Sequence, residues 1–227
     1  MSKSYQQFLK EKSGKTAVYT FGRFNPPTIG HEKLLRVVQT TSSNEGGDYF
    51  IYTSHSQDSK KNPLTHKQTI HFLKLIFPKY RPYIEDSLAK TALDAASEIH
   101  DKGGYTKLMM VVGSDRVRDF SSLLNRYNDK KSKHGYYNFD SIDVISAGER
   151  DPDAEGADGM SASKMRQAVV DGDYDSFKMG VPAGTSDSIC KNLYGAVAKG
   201  LQLKLKEDLG LDDLDELLNP AQLRKLS

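Results

Sequence analysis

Residues 107–113 read KLMMVVG, a run that is apolar from Leu108 to Val112 with no alternating polar position. A strand of that kind is buried on both faces, and such strands belong to parallel sheets covered by helices. Parallel strands need long crossover connections, usually helical, so this one run constrains the rest of the chain.

The neighbouring sequence agrees. Strand-like runs at 15–21 (KTAVYTF), 48–54 (DYFIYTS) and 141–147 (SIDVISA) alternate with helical patterns at 31–41, 65–77, 87–104, 115–127 and 161–172. Pro78 stops the second helix, and Gly103 with Gly104 closes the third. Residues 83–85 read as a further short strand. The expected fold is α/β, a Rossmann-like, mostly parallel sheet flanked by helices. We divide the chain into a domain over 1–186 and a C-terminal helical extension over 187–227, where a Lys-rich helix precedes the acidic-apolar LGLDDLDELLNP. That extension is expected to serve packing, self-association or a protein partner and to be dispensable for chemistry.

Ligands of parallel sheets sit beyond the carboxyl ends of the strands. Four loops qualify: 22–30, 54–64, 113–115 and 147–160. The first, within FGRFNPPTIGH, combines what a phosphate needs. Gly22 admits close backbone approach, Pro26 and Pro27 stiffen the turn, and Thr28 and His31 flank a helix start. Alone, Thr28 or His31 would be read as an ordinary turn or surface residue.

TIGH resembles the H/T-x-G-H signature of the nucleotidyltransferase superfamily, and GRFNPPTIGH resembles the first-loop motif of nicotinamide-mononucleotide adenylyltransferases. SHSQDSKKNPLTHKQ (54–68) is similar to the Ser/Gln-rich loop ending in Asn-Pro-Phe/Leu-Thr of the archaeal type. GMSASKMRQAV (159–169) is similar to the family's I-S-S/G-T-x-I/V-R segment, and Gly113-Ser114-Asp115 to its Gly-x-Asp. The likeness spans about residues 15 to 180.

The resemblance implies the HIGH-type nucleotidyltransferase fold and a set of roles. His31 and Thr28 would contact the triphosphate, His31 stabilising the pentacoordinate phosphorus. Gly22, Arg23 and Gly30 would lie along the nucleotide, with Phe24 near the mononucleotide or in the loop core. Lys60 or Lys61 would bring a mobile cation. Ser163 and Arg166 would hold the departing phosphates, Asp115 would face the ribose or help organise the central pocket, and Ser161 and Gly113 would bind the nucleotide. ATP would be a substrate, with Mg2+ carried mainly by its phosphates. Proteins with this motif set also occur in large tailed phages, where the location would be the host cytoplasm.

Which nucleotide and which acceptor are separate questions. Cytidylyltransferases of this superfamily show R-T-x-G-I-S-T at the third motif; here it is GADGMSAS (156–163), which favours ATP over CTP. Nicotinamide mononucleotide is the preferred acceptor, although the chain has no Trp to stack on a pyridine ring. Phe120, Tyr136 or Tyr137 could serve instead. A CDP-forming enzyme and a nucleotide-binding protein without turnover are the competing readings.

Other signals carry less. The 32 Lys+Arg against 30 Asp+Glu give no excess charge that would argue for a nucleic-acid or membrane coat. The basic-aromatic RYNDKKSKHGYYNF (126–139) is read as a surface excursion, not a nucleic-acid site. Gly14-Lys15-Thr16 precedes its strand, so it is not a phosphate loop of the Walker type. One cysteine, Cys190, and dispersed histidines favour a reducing cytosol and no structural zinc. ERDPDAEGADG (149–159) is expected to be a solvated loop, and no run suggests a membrane span or a signal peptide.

Overall fold

The computed structural model describes residues 14–148 and 160–203. The acidic run 149–159 and the tail beyond 203 therefore lie outside the described residues. Two compact units result. Residues 14–21, 34–52 and 87–148 make the first, and 22–33, 53–86 and 160–203 the second.

The first unit is built on a four-stranded sheet of order β2-β1-β3-β4. Its strands are β1 (Lys15–Gly22), β2 (Asp48–Thr53), β3 (Tyr105–Val112) and β4 (Ser141–Ser146). β3 runs parallel to both β1 and β4, with Met109 opposite Val18 on one side and Asp143 on the other. Consecutive burial of Ala17, Val18 and Tyr19, and of Leu108 to Val112, shows why these segments lack alternation. β4, at the sheet edge, buries Ile142 alone. The order reverses between β1 and β3, so the loop after β1 leaves the sheet at a topological switch point.

Four helices follow the first strands: α1 (Ile29–Glu45), α2 (His66–Ile76), α3 (Ala92–Lys102) and α4 (Val117–Tyr127). One sheet face, bearing Tyr19, Tyr52, Leu108 and Met110, packs with Leu93, Ala96 and Ile99 of α3 and Leu124 of α4. The Tyr19 hydroxyl donates to the Ala92 carbonyl at 3.1 Å. Tyr137 and Phe139 complete this core, and the Tyr137 hydroxyl donates to Leu124 O at 2.8 Å. Tyr137 is thus a core residue and not a ring free to stack on a substrate. Tyr136 donates its hydroxyl to Asp129 instead, and Phe120 packs against the core.

Two sequence expectations need correction. Residues 83–85 form no strand: Pro78–Tyr83 is a 3-10 helix, with Pro78 at its start, and Ile84 makes only an isolated bridge. The helix expected from residue 87 starts at Ala92, because Thr91 accepts from Asp94 N while Asp94 accepts from Thr91 N. That reciprocal capping box fixes the start. Ser87, upstream, donates to both carboxylate oxygens of Glu98 and belongs to an anchored lead-in.

The second unit is helical. α2 contacts the 3-10 helix and α7 (Asp187–Gly200), while α5 (Ala162–Asp171) contacts α6 (Tyr174–Lys178) and α7. Phe177 and Tyr194 meet edge to face at 5.1 Å. The five-residue α6 carries too little periodicity to be seen in sequence, whereas α7 begins where the Lys-rich helical stretch was expected. No helix among the described residues is long and apolar enough to cross a membrane.

Candidate active site

The loop after β1 folds around its own aromatic ring. Phe24 is 1% exposed and adopts φ +46°, a left-handed conformation unusual for a bulky residue. Its ring lies over Gly22, where an added Cβ would come within 2.9 Å of Cε2. The glycine therefore makes room for Phe24, and Phe24 forms the loop core. On its other side the ring meets His31, with centroids 4.7 Å apart.

Pro26, Pro27 and Thr28 are buried too. Thr28 N donates to His31 Nδ1 at 2.9 Å, and the Thr28 hydroxyl lies 3.1 Å from the same nitrogen. A nitrogen that accepts a main-chain N–H bears no proton. The neutral ring therefore carries its hydrogen on Nε2, as a donor. Gly30, in contrast, is exposed in the first turn of α1, and a Cβ there would meet only Thr28 Oγ1 at 3.5 Å. Nothing among the described residues demands a glycine at that position.

The start of α5 supplies the next groups. Ser161 is the N-cap, accepting from Lys164 N at 3.2 Å, and leaves Ser163 exposed in the first turn. Arg166, one turn later, donates through Nη2 to Ser163 Oγ at 3.0 Å and through Nη1 to the Asn25 carbonyl at 2.7 Å. Burial lowers the pKa of this guanidinium, and the positive Arg23 lowers it further, with Asp58 opposing. Arg166 is thus a partly desolvated cation repelled by the exposed Arg23, an arrangement that an anion would relieve.

The second loop is organised by Asp58. Its Oδ1 accepts from Lys60 N at 2.9 Å and Lys61 N at 2.6 Å, and its Oδ2 from the Asn62 amide at 2.5 Å. These bonds, led by that from Lys61, hold the carboxyl down at about 2. Lys60 and Lys61 are exposed on a turn whose backbone is fixed. The far end of the loop enters α2 through a capping box between Thr65 and Gln68. His55 and His66, at the two ends, stack at 3.6 Å.

The second unit therefore gathers Gly22, Arg23, Phe24, Thr28, Gly30, His31, Lys61, Ser161, Ser163 and Arg166. Gly113 and Asp115 belong to the first unit, after β3, where Asp115 folds back so that a Cβ on Gly113 would lie 2.8 Å from its Oδ1. Most of the 147–160 loop is outside the described residues. Two residues escaped the sequence reading. Asp58 looked like one more polar loop residue. Asn25 sat inside a motif whose glycines and histidine drew attention, and its partner is 39 positions away.

Within the second unit, a helix N-terminus, a partly buried arginine repelled by another and an oriented imidazole are groups of the kind that a phosphate takes. A family profile described as cytidylyltransferase-like matches residues 19–168, well over half of the sequence. The chain belongs to this family, part of the nucleotidyltransferase superfamily. Comparison with curated proteins gives no match. Among solved structures it is similar to a candidate nicotinate-nucleotide adenylyltransferase from Vibrio parahaemolyticus. The two are 13% identical with a TM-score of 0.45, over 79% of this chain and 98% of that one.

Proposed function

We propose that the protein transfers AMP from ATP to the phosphate of a mononucleotide, nicotinamide mononucleotide in the first place, releasing pyrophosphate and forming NAD. The observation that carries this reading is Arg166: a partly buried guanidinium, bonded to Ser163 and Asn25 and repelled by Arg23. A triphosphate would satisfy both cations. The absence of an Arg-Thr pair in GADGMSAS favours adenine over cytosine.

In the reaction an oxygen of the acceptor phosphate attacks the α-phosphorus of ATP in line, and the bond to the bridging oxygen of the β-phosphate breaks. Such transfer requires positioning and neutralisation of charge more than covalent participation by the protein. His31 would donate from Nε2 to a phosphate oxygen, with Thr28 holding the tautomer. Ser163, Arg166 and the N-terminus of α5 would receive the leaving pyrophosphate, with Lys61 adding a mobile cation.

Magnesium would enter on the phosphate oxygens of ATP. Both oxygens of Asp58, the carboxylate of the Lys60–Lys61 turn, are already bonded, and among the described residues no group of three His, Cys, Asp or Glu side chains could hold a metal ion. When bound, the ion would neutralise charge on the triphosphate.

Pyrophosphate release with magnesium and ATP or CTP, across a panel of phosphate-bearing acceptors, tests the reading. Release with ATP and nicotinamide mononucleotide, giving a product of the mass of NAD, is the expected result. Release with CTP alone would overturn the nucleotide assignment, and no release with ATP bound would overturn the activity.

A further inference from the structure

Asn25 is 4% exposed and makes a two-point clamp with a single residue. Its Nδ2 donates to the Leu64 carbonyl, and its Oδ1 accepts from Leu64 N, each at 2.9 Å. The side-chain amide thus imitates a strand partner, tying the loop after β1 to the end of the loop after β2. Both polar atoms of the side chain are engaged, so neither is left to address a ligand directly by its strongest geometry.

The main chain of the same residue does something different. Asn25 O is the 2.7 Å acceptor for Arg166 Nη1. A carbonyl positions a guanidinium only as well as it is itself positioned, and this one has its own side chain pinned on both atoms. With Nη2 committed to Ser163, the plane of the Arg166 fork is set from two directions. Charge-assisted bonds of this kind owe their value to fixed geometry.

We infer that Asn25 is a positioning residue for the triphosphate, acting through Arg166: the Asn25–Leu64 clamp orients the guanidinium before the nucleotide arrives. This rests on the reading of Arg166 as a phosphate ligand given above. It assigns Asn25 no contact with substrate. Its substitution should weaken nucleotide binding only while Arg166 is present.

The test is a double-mutant cycle on ATP affinity, measured by calorimetry with magnesium on the full chain. Arg166→Ala should weaken ATP roughly tenfold to a hundredfold, as loss of a bond to a charged group does. Asn25→Ser should weaken it about fivefold to tenfold in the parent and hardly at all in the Arg166→Ala background, because the two residues are coupled. Equal losses in both backgrounds would overturn the inference, since they would mean a merely structural role. An Arg166→Ala variant with undiminished affinity would overturn the underlying phosphate reading instead. Should Asn25→Ser not fold, Asn25→Asp keeps the size and the bond from Leu64 N while removing the donor to Leu64 O, and the same cycle applies.

Discussion

Thr28 and His31 are joined so that a main-chain N–H, three residues upstream, holds the imidazole by Nδ1 at 2.9 Å. The relationship matters because a main-chain donor on Nδ1 leaves the proton of the neutral ring on the opposite nitrogen. A histidine oriented in this way is a neutral donor throughout the range where it stays unprotonated.

The first prediction concerns that donor. His31→Ala should lower kcat by about a hundredfold to a thousandfold, the usual loss for one oriented donor to a developing charge. His31→Asn is the sharper variant, since an amide can keep part of the donation. Steady-state rates with ATP at saturation would show the ranking His > Asn > Ala; equal rates for the two variants would count against donation by the ring.

Gly30 separates fold from function in a second way. A Cβ at this exposed position meets nothing closer than 3.5 Å. Gly30→Ala should therefore leave the melting temperature unchanged or slightly raised, in keeping with the helix preference of alanine. KM for ATP should rise if, as proposed, the triphosphate approaches the first turn of α1, where the added methyl would stand. Thermal melts and kinetics on one preparation check both halves.

Gly22 should behave oppositely. Its Cβ would lie 2.9 Å from the Phe24 ring, which is buried and has His31 against it. Gly22→Ala is expected to cost about 1–3 kcal/mol, the range for overpacking a tight site. Gly22→Ala combined with Phe24→Leu should recover much of that loss in urea unfolding. A double variant no more stable than Gly22→Ala would show that the ring is not the obstacle.

Burial lowers the pKa of both His66 and His71, with His55 adding to the effect at His66 and Arg81 at His71. A depressed folded-state value means that the unfolded chain binds more protons near the ordinary imidazole value of about 6.5. Their contribution to stability is thus present above that value and is lost as pH falls through the folded pKa values. Urea midpoints should drop between about pH 7.5 and pH 5.5, a window chosen around that value. His66→Gln with His71→Gln should flatten the slope; an unchanged slope would place the titration elsewhere.

Much of the sheet was legible in sequence because burial on both faces leaves a mark on composition. KLMMVVG could be nothing but a covered strand, and the helices beside it announced themselves by spacing. Boundaries were legible only where capping chemistry was strong. The helix read from residue 65 starts at His66 with Thr65 as its cap, but Thr91 with Asp94 lay inside a pattern that read as continuous helix. The 3-10 helix over Pro78–Tyr83 was missed because two prolines and two tyrosines favour extended and turn geometry alike.

The sequence by itself determined the class of fold, the order of the loops and the identities of the charged groups, since these follow from periodicity and from motifs written in consecutive residues. Tertiary structure alone decided what those groups touch. That Gly22 makes room for a ring, that Asn25 grips Leu64 and steadies Arg166, and that Tyr137 belongs to the core are matters of residues far apart in the chain. Local spacing sets helices and strands, but hydrogen bonds between distant loops form only when the packed core brings their ends together.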